Sequence, residues 1–193
     1  MKPQLKLKIV RSRHSRQPLG CETPNQQVKL AIVPFPKLES PKPVEEMVQA
    51  HSFLAGLKPE AYRLFCQCAS LQYFAEGQEI FHQDGKAEHF YLIESGRVIL
   101  ETFVPGRGMA TIQTLGPGEA LGWSWLFPPH QWHFSATATE STEVIVFGAE
   151  CLRKQAKQDH DFCYELVLRL AHVLAGRLEG VRTQLVDIYQ MRP

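Results

Sequence analysis

Trp123, Trp125, Phe127, Trp132 and Phe134 all fall within the twelve residues 123–134, so one short segment holds all three tryptophans and two of the eleven phenylalanines. Rings at this density either line a pocket for an apolar or flat ligand, fill such a pocket themselves, or form a surface for a protein partner. Large side chains serve more often as core than as ligand walls, which favours the filled pocket. Ser124 stands in Gly122-Trp-Ser-Trp-Leu126, which lacks the second glycine of a nucleophile elbow. His130 and His133 are three apart without an identifiable third ligand, which favours a structural or surface role over metal binding. The five cysteines Cys21, Cys66, Cys68, Cys151 and Cys163 lack the paired CxxC spacing of a zinc or iron–sulfur site, and reduced thiols are the simplest reading. Cys66 and Cys68 are two apart and face different sides of a helix as small apolar residues. No nucleophile with a base, pair of carboxylates or metal cluster emerges, so no catalytic or metal-binding residue is assigned and the chain reads as non-enzymatic.

Several elements must position this segment. Val44 to Ala69 has helical spacing in two short pieces, the second opened by Pro59. Between Leu71 and Phe147 the period falls to two, in the runs Phe90–Ile93, Val98–Val104, Thr111–Leu115, His133–Thr139 and Val144–Phe147. Glycines 77, 85, 96, 106, 108, 116 and 118 punctuate them. That pattern predicts an antiparallel barrel or sandwich. From about Glu150 to Tyr189 the spacing is helical again, with a break at residues 158–161 where Asp159 or Asp161 serves as a cap.

Within this last helix Tyr164, Val167, Ala171, Leu174, Leu178, Val181, Leu185 and Ile188 alternate by three and four, the seam of a two-stranded coiled coil between subunits. The competing reading, an amphipathic helix packed on its own barrel, is weakened by a separate apolar face of Phe162, Leu166, Leu170 and Val173 that already serves that purpose.

With 193 residues, 44% apolar and 21% charged, the chain has enough core for one domain and is not disordered throughout. Its net charge of +1 hides an asymmetry: residues 1–43 hold nine Lys and Arg against Glu22 and Glu39, and the remainder twelve against eighteen acids. Seven of the thirteen prolines also lie there, so residues 1–43 read as a flexible basic arm. Such an arm binds nucleic acid, an anionic membrane surface or an acidic partner through salt-sensitive contacts, or folds back loosely on its own domain or serves only solubility. Residues 44–149 then form the barrel with its leading helices, and residues 150–193 a hinge and dimerisation helix. No apolar run approaches the ~20 residues that cross a bilayer, and no secretory signal opens the chain, so the expectation is a cytoplasmic protein without a membrane partner.

The order of helix pair, glycine-punctuated strands and long helix carries Phe53-Leu-Ala-Gly-Leu57, Phe74-Ala-Glu-Gly-Gln-Glu-Ile-Phe81 with His82-Gln-Asp-Gly85, Phe90-Tyr-Leu-Ile-Glu-Ser-Gly-Arg-Val98 and Gly118-Glu-Ala-Leu-Gly122. Over about Met47 to Ile188 this resembles the cyclic nucleotide-binding domain of the catabolite activator (Crp/Fnr-type) family. The resemblance implies a mainly β fold with flanking helices: an antiparallel β-roll of the jelly-roll, double-stranded β-helix type, plus a long C-terminal dimerisation helix. It also implies that the ligand cassette is Gly122, Trp123, Ser124, Trp125, Leu126, Phe127, Trp132, His133, Phe134, Ser135 and Ala136.

In the family this cassette wraps a cyclic phosphate with backbone amides, an arginine fork and a glutamate on the ribose. Here Trp123 stands where the glutamate is expected and Phe134 where the arginine is expected, with one more residue in the loop. An indole donates but does not accept, and a phenyl ring does neither. A buried anion without its partner costs ~3–5 kcal/mol, or on the order of 10²–10⁴ in affinity, which disfavours cyclic AMP or cyclic GMP as the cofactor. His133 is the nearest substitute cation. The chain ends five residues after Ile188, leaving no room for the family's helix-turn-helix, so sequence-specific DNA binding is not expected. The sequence therefore reads as a homodimeric regulatory or sensory module with a divergent cassette, acting through a protein partner. The alternatives are a cyclic nucleotide or other small effector held by backbone amides at 122–127 and by Ser135, signalling through a hinge near residues 151–161, or nucleic-acid binding by the arm.

Overall fold

A computed structural model describes the backbone of residues 43–190, with side chains through 183 and that of Val186. The arm expected over residues 1–43 lies, but for Pro43, outside the described residues. The chain enters through α1 (Val44–Ala50), a single 3₁₀ turn (Ser52–Leu54) and α2 (Pro59–Cys68). Glu45 and Glu46 in the first turn of α1, and Pro59 with Glu60 opening α2, suit the positive, donor-rich helix start.

Eight strands follow: β1 (Ala69–Phe74), β2 (Glu79–Phe81), β3 (His89–Ser95), β4 (Val98–Val104), β5 (Gly108–Leu115), β6 (Ala120–Leu121), β7 (Ser135–Ala138) and β8 (Thr142–Gly148). They form two antiparallel four-stranded sheets, ordered β1-β8-β3-β6 and β2-β7-β4-β5, which is the jelly-roll expected. The run expected to begin at His133 pairs only from Ser135, and β2 and β6, three and two residues long, add to the expected runs. Gly96, at φ +88° between β3 and β4, shows why these turns demand glycine: a Cβ there would lie 2.4 Å from Thr142 Oγ1.

Strand β3 is buried without alternation from Phe90 to Ile93, because one face points into the roll and helices cover the other. Phe65 of α2 packs edge-on against Phe147 of β8 at 5.6 Å and tilts against Phe162 at 4.9 Å, tying α2 and the last helix to one sheet.

After β8 come α3 (Ala149–Gln158) and α4 (His160–Gln190). Asp159 Oδ1 accepts the Phe162 amide at 2.9 Å, which selects Asp159 over Asp161 as the cap. Phe162, Leu166 and Leu170 are buried and Val173 packs against the core, the roll-facing side expected. Tyr164, Val167, Ala171, Leu178 and Val181 are exposed and Leu174 is half-buried, while the side chains of Leu185 and Ile188 lie outside the described ones.

The reading of reduced thiols needs correction. Cys68 and Cys151 form a disulfide with Cα atoms 5.6 Å apart, while Cys66 and Cys163 are free. The two partners are 83 residues apart and meet only because β8 returns the chain beside the end of α2, so residue spacing alone carries no sign of the bond.

Candidate functional site

The cassette begins at Gly122, whose left-handed φ of +85° turns the chain from β6 into a 3₁₀ turn, Trp123–Leu126. Glycine is required here twice over, since a Cβ would also stand 2.9 Å from Trp132 Cζ3. The indole of Trp132 lies against this bare backbone and is 4% exposed. It stacks on Phe81 of β2 at 3.9 Å and 15°, and Phe81 in turn stacks on Tyr91 of β3 at 5.9 Å. Three aromatic side chains thus form one layered plug inside the roll. Burial pushes the Tyr91 hydroxyl pKa up to about 12, a measure of how poorly this interior tolerates negative charge.

The other rings divide the work. Trp125 is fully buried beside Phe90 at 6.2 Å and serves the core, its Nε1 buried without a partner. Trp123 is half-buried, stacks on the His133 ring at 5.1 Å and meets exposed Phe127 edge-on at 6.1 Å. His133 Nδ1 lies 2.9 Å from Ser124 Oγ, so this histidine is engaged with the cassette's own serine. Ser135 Oγ accepts the Gln83 amide at 3.0 Å, and Ala136 is buried in the β7 pairing with β2 and β4. Phe134 and Leu126 are half-buried.

Between Phe81, Gly122, Trp123, Trp132, His133 and Phe134 a void of about 10 Å³ remains. That is the threshold for a single water, against ~300–1,000 Å³ for a small-molecule pocket.

One lining residue stands outside the expected cassette. Arg177 of α4 borders this void and donates from Nη2 to the Ala120 carbonyl of β6. Burial lowers its pKa, and the charge of Glu119 opposes that shift. The sequence does hold a signal for it: Phe162, Leu166, Leu170 and Val173 continue by four to position 177. Arg177 also borders a larger open groove of about 500 Å³ between α4 and the β5–β6 turn, with Arg169, Glu119 and Ser52. Arg169 donates to the Phe53 carbonyl at 2.8 Å and pairs with Glu165 at 3.4 Å.

Residues 71–159 match the family model of the cyclic nucleotide-binding domain. Over those residues the chain is similar to that domain. Its sequence is 33% identical over 95 residues to the cyclic AMP receptor protein of Thermus thermophilus, a match covering 49% of this chain and 44% of that protein. The chain therefore spans under half the length of that relative. The solved catabolite activator protein of Thermus thermophilus superposes with a TM-score of 0.58 at 28% identity, covering 72% of this chain and 63% of the other. A cyclic nucleotide-binding domain from Methylobacillus flagellatus has the same fold, with a TM-score of 0.64 at 17% identity over 75% of this chain and 81% of its own. Among the described residues, no helix is long and apolar enough to cross a membrane, and no three His, Cys, Asp or Glu are grouped to hold a metal ion.

Proposed function

We propose that the protein is a non-enzymatic regulatory module, homodimeric through α4 and acting on a protein partner, in which the nucleotide cassette is closed by its own aromatic rings. The observation that carries this reading is the Tyr91–Phe81–Trp132 stack against Gly122, which leaves about 10 Å³ at the cassette. The substitutions at Trp123 and Phe134 agree with it, because neither ring supplies a counter-charge or a ribose acceptor. A closed cassette cannot report ligand occupancy, so the output surface becomes the exposed seam on α4, where Leu178 is 71% exposed and Tyr164 66% exposed. A coiled coil would cover these residues.

One observation supports the ligand-binding alternative. Arg177 brings a guanidinium to the cassette rim, a cation that an anionic effector would meet if Trp132 swung out. Calorimetry of the full chain with cyclic AMP and cyclic GMP separates the two readings. The closed cassette predicts no heat of binding at micromolar ligand. Micromolar binding abolished by Ser135→Ala or Arg177→Ala would overturn it.

A further inference from the structure

Cys68 is the last residue of α2 and Cys151 lies in the first turn of α3, so the bond between them closes a chain loop that contains all eight strands of the roll. It fastens the start of the segment that leads to α4. The other side-chain ties on α3 are few: Gln155 Nε2 donates to Gln67 Oε1 of α2 at 3.0 Å in an exposed contact, and Arg153 Nη1 donates to the Trp125 carbonyl at 3.0 Å. Buried Ala149 and Leu152 hold only one face of the helix. Immediately beyond it, the Asp159 cap starts α4 as a separate helix, so α3 is the joint between the roll and the seam. We propose that Cys68 and Cys151 are a reversible redox modification site, whose oxidation state sets the mobility of α3 and gives the module an input that does not pass through the cassette.

In the oxidising step both thiols lose their hydrogens. One thiolate attacks a low-molecular-weight disulfide such as glutathione disulfide, releasing one thiol and forming a mixed disulfide; the second cysteine then displaces the other thiol. Two electrons pass to the external disulfide, which leaves as two thiols carrying both protons. Cys68 is nearly buried and Cys151 half-buried, so a small thiol reaches the pair from the Cys151 side. Cys66, two residues from Cys68, is the neighbour along the chain that would compete. Burial, followed by the negative charge of Glu45, raises its pKa and so lowers its thiolate fraction.

The test uses the folded full chain equilibrated in glutathione buffers of graded redox ratio, with alkylation and intact mass to count free thiols and amide exchange over residues 149–161 as the structural readout. The site predicts one two-electron transition that protects two of the five cysteines, lost in Cys68→Ser and in Cys151→Ser and retained in Cys66→Ser, with α3 amides exchanging at least tenfold faster in the reduced wild type. Three results would overturn it: five alkylatable thiols under glutathione disulfide, a bond reducible only after unfolding, or identical α3 exchange in the two states.

Discussion

Replacing Trp132 with alanine removes the centre of the plug, and the structure sets what that should cost. The indole is 4% exposed, stacks on Phe81 at 3.9 Å and lies against the backbone of Gly122, so its removal leaves a cavity between them. Core Trp→Ala changes cost ~3–5 kcal/mol, because the lost transfer energy adds to that of an unfilled cavity. For a chain of this size each kcal/mol moves Tm by ~2–4 °C, so the melting point should fall by roughly 6–20 °C. Differential scanning calorimetry at neutral pH measures the fall, and the same scan with added indole measures its reversal, since a dry apolar cavity of matching shape binds the missing ring. Trp132→Phe should lie between the two proteins because it keeps a ring on Phe81. A fall of under about 2 °C, equivalent to less than ~1 kcal/mol, or no recovery with indole, would show that Trp132 does not plug the roll.

Other predictions follow from single residues. Gly122→Ala should destabilise by ~1–3 kcal/mol, from overpacking against Trp132 and from its φ of +85°, whereas Gly176→Ala in α4, with nothing within 4 Å of a new Cβ, should stabilise by ~0.5–1 kcal/mol; urea unfolding checks both signs. His51 accepts the Phe53 amide at Nδ1 and lies 3.2 Å from the Ile93 carbonyl through Nε2, so the ring is neutral with its proton on Nε2. Burial lowers its pKa despite the carbonyl, so the unfolded chain binds the proton first: this contribution is full above pH 6.5 and is lost as pH falls through the depressed value. His51→Gln should start less stable and show a flatter loss between about pH 7 and 5, and equal slopes would contradict the assignment. Leu178→Asp should convert a dimer to a monomer in sedimentation velocity without unfolding the roll, and an unchanged mass would show that the seam was misread.

Local signals made much of this fold legible. The Asp159 cap, the Pro59 start and the roll-facing row Phe162–Leu166–Leu170–Val173 are properties of a few consecutive turns, and the structure places them as their spacing implies. Strands β2 and β6 were not legible because two or three residues cannot display a period of two. At the cassette, composition announced an aromatic cluster but not which ring fills which space. Trp132 plugs the roll because Phe81, far back along the chain, meets it across the β2–β7 sheet and because Gly122 leaves room; Trp125, in the same short segment, serves the core instead. The Cys68–Cys151 bond was invisible for the same reason, being a product of topology.

The closed cassette is tested most directly by electron density inside the roll of a crystal of the full chain purified from its native host and soaked in cyclic AMP. A closed cassette gives continuous indole density for Trp132 stacked on Phe81 and no ligand beside Gly122. A nucleotide lodged between Trp123 and Phe134, with Trp132 displaced and Arg177 on its phosphate, would contradict it.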